Sequence, residues 1–112
     1  MQVTEKFNPA ELPRLDMDQL AGASVIEFGT DWCAHCQAAE PLLAAALANY
    51  PHPHLRLLKV EDGKGRKLGR SYRVTLWPTL IFLNDGVEVT RLVRPTDIDD
   101  IARALALVAP LS

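Results

Sequence analysis

Cys33 and Cys36, in the run Cys33-Ala34-His35-Cys36, are the only thiols in the chain. Two thiols at this spacing can make and break one disulfide, or supply half of a metal site. On a helix, residues three apart lie one turn apart on the same face, so the two sulfurs can meet. A cysteine at the start of that helix has free backbone N–H groups and the positive end of the helix dipole around it, and both favour negative charge. The thiolate is the nucleophile. Cys33 is thus expected to attack a substrate, and Cys36, one turn deeper, to resolve the mixed disulfide. His35 lies between them. An imidazolium or its N–H beside Cys33 would stabilise the thiolate and make the disulfide more oxidising, whereas a merely solvated His35 would do neither.

Two further groups bear on this chemistry. Glu27 sits in the apolar run Ala23 to Gly29, where a carboxylate is costly unless paired or neutral. Strand alternation lets it point beneath the start of the next helix, where it could take a proton from Cys36 through water. Lys59 is its expected partner on a neighbouring strand. The plainer alternative is that Glu27 faces solvent at the strand end. A zinc site would need a second Cys or His pair. The only other histidines, His52 and His54, fall in a Pro-rich loop expected at the far end of the helix, so no metal or other cofactor is expected beyond the dithiol itself.

The elements that must position these groups follow from periodicity. Ala23 to Gly29 reads as a buried strand. Cys36, Ala39, Leu43, Ala46, Leu47 and Tyr50 recur at helical spacing in an alanine-rich stretch. Pro41 should bend that helix, and Pro51 and Pro53 end it. Leu55 to Val60 is a second strand, parallel to the first because a helix connects them. Residues 61 to 73 read as a loop and a short helix. Thr79 to Leu83, the turn Asn84-Asp85-Gly86 and Val87 to Leu92 form a hairpin. Thr96, followed by Asp99, is the expected N-cap of a last helix with Ile98, Ile101, Ala102, Leu105 and Val108 as its apolar stripe. In the first 22 residues Asn8 and Asp16 each offer a helix cap, and Pro13 interrupts the segment. The whole is an α/β chain with a mixed central sheet flanked by helices.

Composition narrows the function classes. At 112 residues, 48% hydrophobic and 23% charged, the chain is expected to be one domain, 1–112, with a real core. A net charge of −2 gives no reason to expect nucleic acid. Two cysteines are too few to staple a fold. No stretch has the ~20 apolar residues of a membrane span. Met1 to Phe7 lacks the pattern of a signal peptide, so the expected location is cytoplasmic, or periplasmic if a signal has been removed. Lys64, Arg66, Lys67, Arg70 and Arg73 are expected to form a solvated basic face rather than a docking patch.

From Ser24 to Val108 the chain resembles the thioredoxin family. The resemblance is strongest in Val25-Ile26-Glu27-Phe28-Gly29-Thr30-Asp31-Trp32-Cys33-Ala34-His35-Cys36. Glu27 stands where the family has a buried aspartate, Lys59 where it has a lysine near that acid, and Pro41 where it bends the helix. Trp77-Pro78-Thr79 matches the Pro-Thr step whose proline is cis and faces the dithiol, and whose preceding residue offers main-chain hydrogen bonds to an extended substrate. Gly86 fits the hairpin glycine. The resemblance implies a thioredoxin-like fold, and Trp32, Trp77, Pro78 and Thr79 as a substrate-binding surface. It also implies protein disulfide or dithiol partners and a separate reductase or oxidase that recycles the pair. The chain departs from the family pattern in having Ala34-His35 for Gly-Pro, Glu27 for aspartate, Trp77 for a smaller aliphatic and Arg94 for a glycine. The Ala34-His35 pair is therefore expected to tune the redox poise. The leading expectation is a monomeric thiol–disulfide oxidoreductase; the alternative is a non-catalytic interaction module or chaperone on the same fold.

Overall fold

The structure is a computed structural model that describes residues 2–3 and 6–110. The outermost positions of the expected 1–112 domain lie outside the described residues. In chain order the elements are β1 (Gln2–Val3), α1 (Arg14–Asp18), β2 (Ala23–Gly29), α2 (Ala34–Ala48), β3 (Arg56–Glu61), α3 (Lys67–Ser71), β4 (Thr79–Asn84), β5 (Val87–Val93) and α4 (Ile98–Val108). The sheet order is β1-β3-β2-β4-β5. β1, β3 and β2 are parallel, while β4 runs antiparallel to both β2 and β5. The expected mixed sheet is present, with the boundaries of the four predicted strands, β2 to β5, within one residue of their predicted places; β1 is a strand that the sequence reading did not predict.

Strand alternation divides the core between the two faces of the sheet. Val25, Leu57, Leu80 and Phe82 pack with Leu43, Ala46 and Leu47 of α2 and with Ile101, Leu105 and Val108 of α4. Ile26, Phe28, Val60, Ile81 and Leu83 pack on the other face with Met17, Leu68 and Tyr72. Glu27 and Lys59 occupy alternate positions on the α2 face, in register with one another.

Three local expectations need correction. Asp97, not Thr96, caps α4: its carboxylate accepts from the Asp99 N–H at 2.9 Å. Both residue types cap well, but here the chain turns helical only at Ile98, which makes Asp97 the half-in residue. The buried face of α4 is Ile101, Ala104, Leu105 and Val108, while Ala102 is exposed. The contact face is centred between Ile101 and Val108, so Ile98 falls on its rim and Ala102 beyond it. Near the N-terminus, Asn8 caps no helix. It bridges to Val60, and its side chain accepts from the Ala10 N–H. Pro13 precedes α1 instead of interrupting it, and Asp16 lies in the first turn. Proline suits a helix start because its missing N–H has no partner there.

The hairpin turn places Asp85 at φ 49° and Gly86 at φ 79°, the backbone of a type I′ turn. A Cβ on Gly86 would lie 1.9 Å from the Asp18 carbonyl oxygen. The turn thus docks against the end of α1, and only glycine fits.

Candidate functional site

The dithiol stands where β2 hands over to α2. Thr30, Asp31 and Trp32 form the connection, and Cys33 is the N-cap of α2, in extended backbone conformation. Its Sγ accepts the Cys36 N–H at 3.3 Å. That is the bond an N-cap side chain makes, and it supplies a donor to a sulfur that becomes negative. Both thiols are free. Cys33 is 8% exposed and Cys36 3%, in the expected order. Gly29 makes the close approach possible, since a Cβ there would lie 2.5 Å from Cys36 Sγ.

Burial shapes the proton chemistry beneath. Desolvation pushes the Cys36 thiol up to about 12, reinforced by its hydrogen bond with Cys33 and by the charges of Cys33 and Glu27. Glu27 is 0% exposed, and neither of its carboxylate oxygens has a hydrogen-bond partner among the described residues. Burial raises its carboxyl to about 7. The Lys59 ammonium opposes that rise, and the Glu40 carboxylate adds to it. The Lys59 Nζ lies 3.9 Å from Glu27 Oε1 and 2.9 Å from Glu40 Oε2, so it stands between a buried acid and one open to solvent.

The opposite wall is the Trp77-Pro78 segment, joined by a cis peptide bond as the resemblance implies. The Trp32 and Trp77 rings meet edge to face with centroids 5.8 Å apart, a favourable arrangement of two ring quadrupoles. Trp32 is 73% exposed. The Trp77 indole N–H donates to Asp62 Oδ2 at 2.9 Å. Thr79 is buried, and its hydroxyl donates to the Leu76 carbonyl at 2.7 Å, so it braces the loop that carries Trp77 and Pro78. His35 and Ala34 are exposed on the first turn of α2, and no hydrogen bond joins His35 to Cys33 among the described residues.

Four contributors escaped the sequence reading. Phe7 packs against Cys33, Cys36 and Trp77, and its ring lies 4.6 Å from the Lys59 ammonium. Asp31 accepts the Phe7 N–H. Asp62 holds the Trp77 indole and donates its own N–H to the Gly29 carbonyl. Glu40 holds Lys59. Only Glu40 had a usable signal, lying four residues beyond Cys36 on the same helical face. His52 and His54 lie beyond the other end of α2, ~22 Å along a helix of this length. No cluster of three or more metal-ligating side chains occurs among the described residues.

A model of the thioredoxin family matches residues 13–106. The chain is 34% identical over 86 residues to a thioredoxin of Chlamydia trachomatis, covering 77% of this chain and 82% of the relative. Over 62 residues it is 37% identical to protein disulfide isomerase-like 1-4 of Arabidopsis thaliana, spanning only 10% of that protein. Its structure is similar to that of reduced thioredoxin 2 from Pseudomonas aeruginosa PAO1, with a TM-score of 0.78 and 52% identity over 92% of this chain and 94% of the other. A family model over most of the chain, a relative at 34% identity and a solved structure at 52% identity agree, and the chain belongs to the thioredoxin family as a thiol–disulfide oxidoreductase.

Proposed function

We propose that the chain exchanges its dithiol with protein disulfides through a mixed disulfide on Cys33. The observation that carries this reading is the asymmetry of the pair: Cys33 at the helix N-terminus with an N–H on its sulfur, and Cys36 buried behind it. The Cys33 thiolate attacks one sulfur of the substrate disulfide, and the other sulfur leaves as a thiolate and takes a proton from water. Cys36 then loses its proton to Glu27, through water, and attacks Cys33 Sγ. The Cys33–Cys36 disulfide forms as the mixed disulfide breaks, and the second substrate thiol is released. The protein has then given up two electrons, which a separate reductase restores; the reverse sequence oxidises a substrate dithiol.

A Cys36 thiol raised to about 12 needs a base, and a carboxyl near 7 can both take and return a proton at neutral pH. In this reading Lys59 holds Glu27, Ala34 and His35 set the redox poise, and Trp32, Trp77 and Pro78 face the substrate, with Thr79 behind them. The whole chain, 1–112, acts as one monomeric domain in the cytoplasm, with no cofactor beyond its cysteines.

Reduction of insulin by dithiothreitol, followed by turbidity, tests the reading. Wild type should accelerate precipitation, Cys33→Ser should not, and Cys36→Ser should accumulate a protein–insulin mixed disulfide. Absence of acceleration by wild type, or full acceleration by Cys33→Ser, would leave the non-catalytic interaction module as the better account.

A further inference from the structure

We propose that Arg94 is a specificity-determining residue, one that selects substrates carrying a carboxylate beside the reacting cysteine. The inference rests on the oxidoreductase reading above and concerns the choice of substrate at the same site.

Arg94 is tied to the Trp77-Pro78 segment twice. Its backbone N–H donates to the Pro78 carbonyl at 2.9 Å, and its Nε–H donates to the Trp77 carbonyl at 2.9 Å. Its backbone is at φ 50°, a left-handed conformation that costs a residue with a Cβ and costs glycine nothing. The side chain is thus held against a local backbone preference by its contact with the dithiol-facing loop. Arg94 is half-buried and, like Arg56, forms no ion pair among the described residues, whereas the other buried or half-buried cations, Arg14, Lys59, Arg66 and Arg91, do. It borders an open groove of about 400 Å³ that starts at His35 and runs along Ala38, Ala39, Leu42 and Pro95, with no carboxylate lining it.

An extended peptide laid along Trp77 needs a main-chain acceptor for its own N–H, as any added strand does. The Trp77 carbonyl is such an acceptor, and the Arg94 guanidinium covers it. A neutral peptide that displaces the guanidinium leaves a half-buried cation without its partner. A substrate carboxylate accepts two N–H bonds from the same guanidinium and replaces the bond it gives up. Arg94 therefore releases the Trp77 carbonyl most readily to an acidic substrate.

The test uses the full chain with dithiothreitol as reductant and two disulfide-linked peptides. They are identical except for glutamate or glutamine on both sides of the cysteine. Wild type should favour the glutamate peptide by about tenfold in kcat/KM, the effect of one charge-assisted contact. Arg94→Gly should bring the ratio near one from both directions, losing rate on glutamate and gaining it on glutamine as the Trp77 carbonyl opens. Arg94→Lys should keep part of the ratio. About 1 M salt, with a Debye length of ~3 Å, should shrink it in wild type. Equal rates for both peptides in wild type, or a ratio that survives in Arg94→Gly, would overturn the role of Arg94 and leave thiol exchange standing. If wild type accelerates neither peptide, the oxidoreductase reading falls, and this proposal with it.

Discussion

At the residue scale the site is governed by what burial does to the Glu27 carboxyl and the Cys36 thiol. Glu27 combines zero exposure with a carboxyl raised to about 7. Because the folded state holds this proton more tightly than the unfolded chain, stability falls as pH rises from about 4.5 to about 7 and stays lowered above that. The shift corresponds to a loss on the order of 3 kcal/mol across that window. Glu27→Gln should flatten this pH dependence in urea titrations at pH 5 and pH 8. The same variant should slow the resolution step, seen as a longer-lived mixed disulfide in rapid-quench experiments. Glu40→Gln should move the Glu27 midpoint downward, since the Glu40 carboxylate now raises it and its loss leaves Lys59 to Glu27. Carbon NMR of the glutamate side chains would show the direction, and a midpoint that rises or stays put would contradict it. Glu27 was legible as a charge in an apolar run. Glu40 was not singled out, because its role depends on a lysine from another strand.

At the element scale, close approach and capping decide where α2 and α4 begin. Gly29→Ala would push a methyl group to 2.5 Å from Cys36 Sγ and 2.9 Å from the Phe7 ring. Forcing that contact should destabilise the fold by ~1–3 kcal/mol, as overpacking does, and lower insulin-reduction activity by displacing the start of α2. For α4, Asp97→Ala should cost ~1 kcal/mol through the lost cap, while Thr96→Ala should be close to neutral. Paired urea melts distinguish the two; the opposite ranking would restore Thr96 as the cap. Sequence alone could not choose between adjacent capping residues, because the first helical residue is set by how α4 lands on Leu80 and Phe82.

At the scale of the whole molecule, the N-terminal segment completes the site. Asn8 bridges to Val60, and Asp31 holds the Phe7 N–H, which brings the Phe7 ring onto both cysteines and beside Lys59. Phe7→Ala should destabilise the protein by ~3 kcal/mol, as a buried Phe-to-Ala change does. It should also speed alkylation of Cys36 by iodoacetamide in the folded protein at least several-fold, measured by mass spectrometry. An unchanged Cys36 rate would mean that Phe7 does not shield it. This segment had no legible role in the sequence, since it has no periodicity and its partners lie more than 20 residues away.

The sequence by itself determined the four strands from β2 to β5, the long helix, the hairpin turn and the placement of Cys33, Cys36 and Glu27. Those features rest on local patterns: apolar alternation, helical spacing, turn residues and a short motif. Tertiary structure alone decided that Glu40 draws on Lys59, that Asp62 holds Trp77, that Phe7 covers the dithiol and that Arg94 reaches the Trp77 carbonyl. Each of these joins side chains far apart along the chain. Such contacts depend on how elements pack across the sheet, which no local spacing encodes.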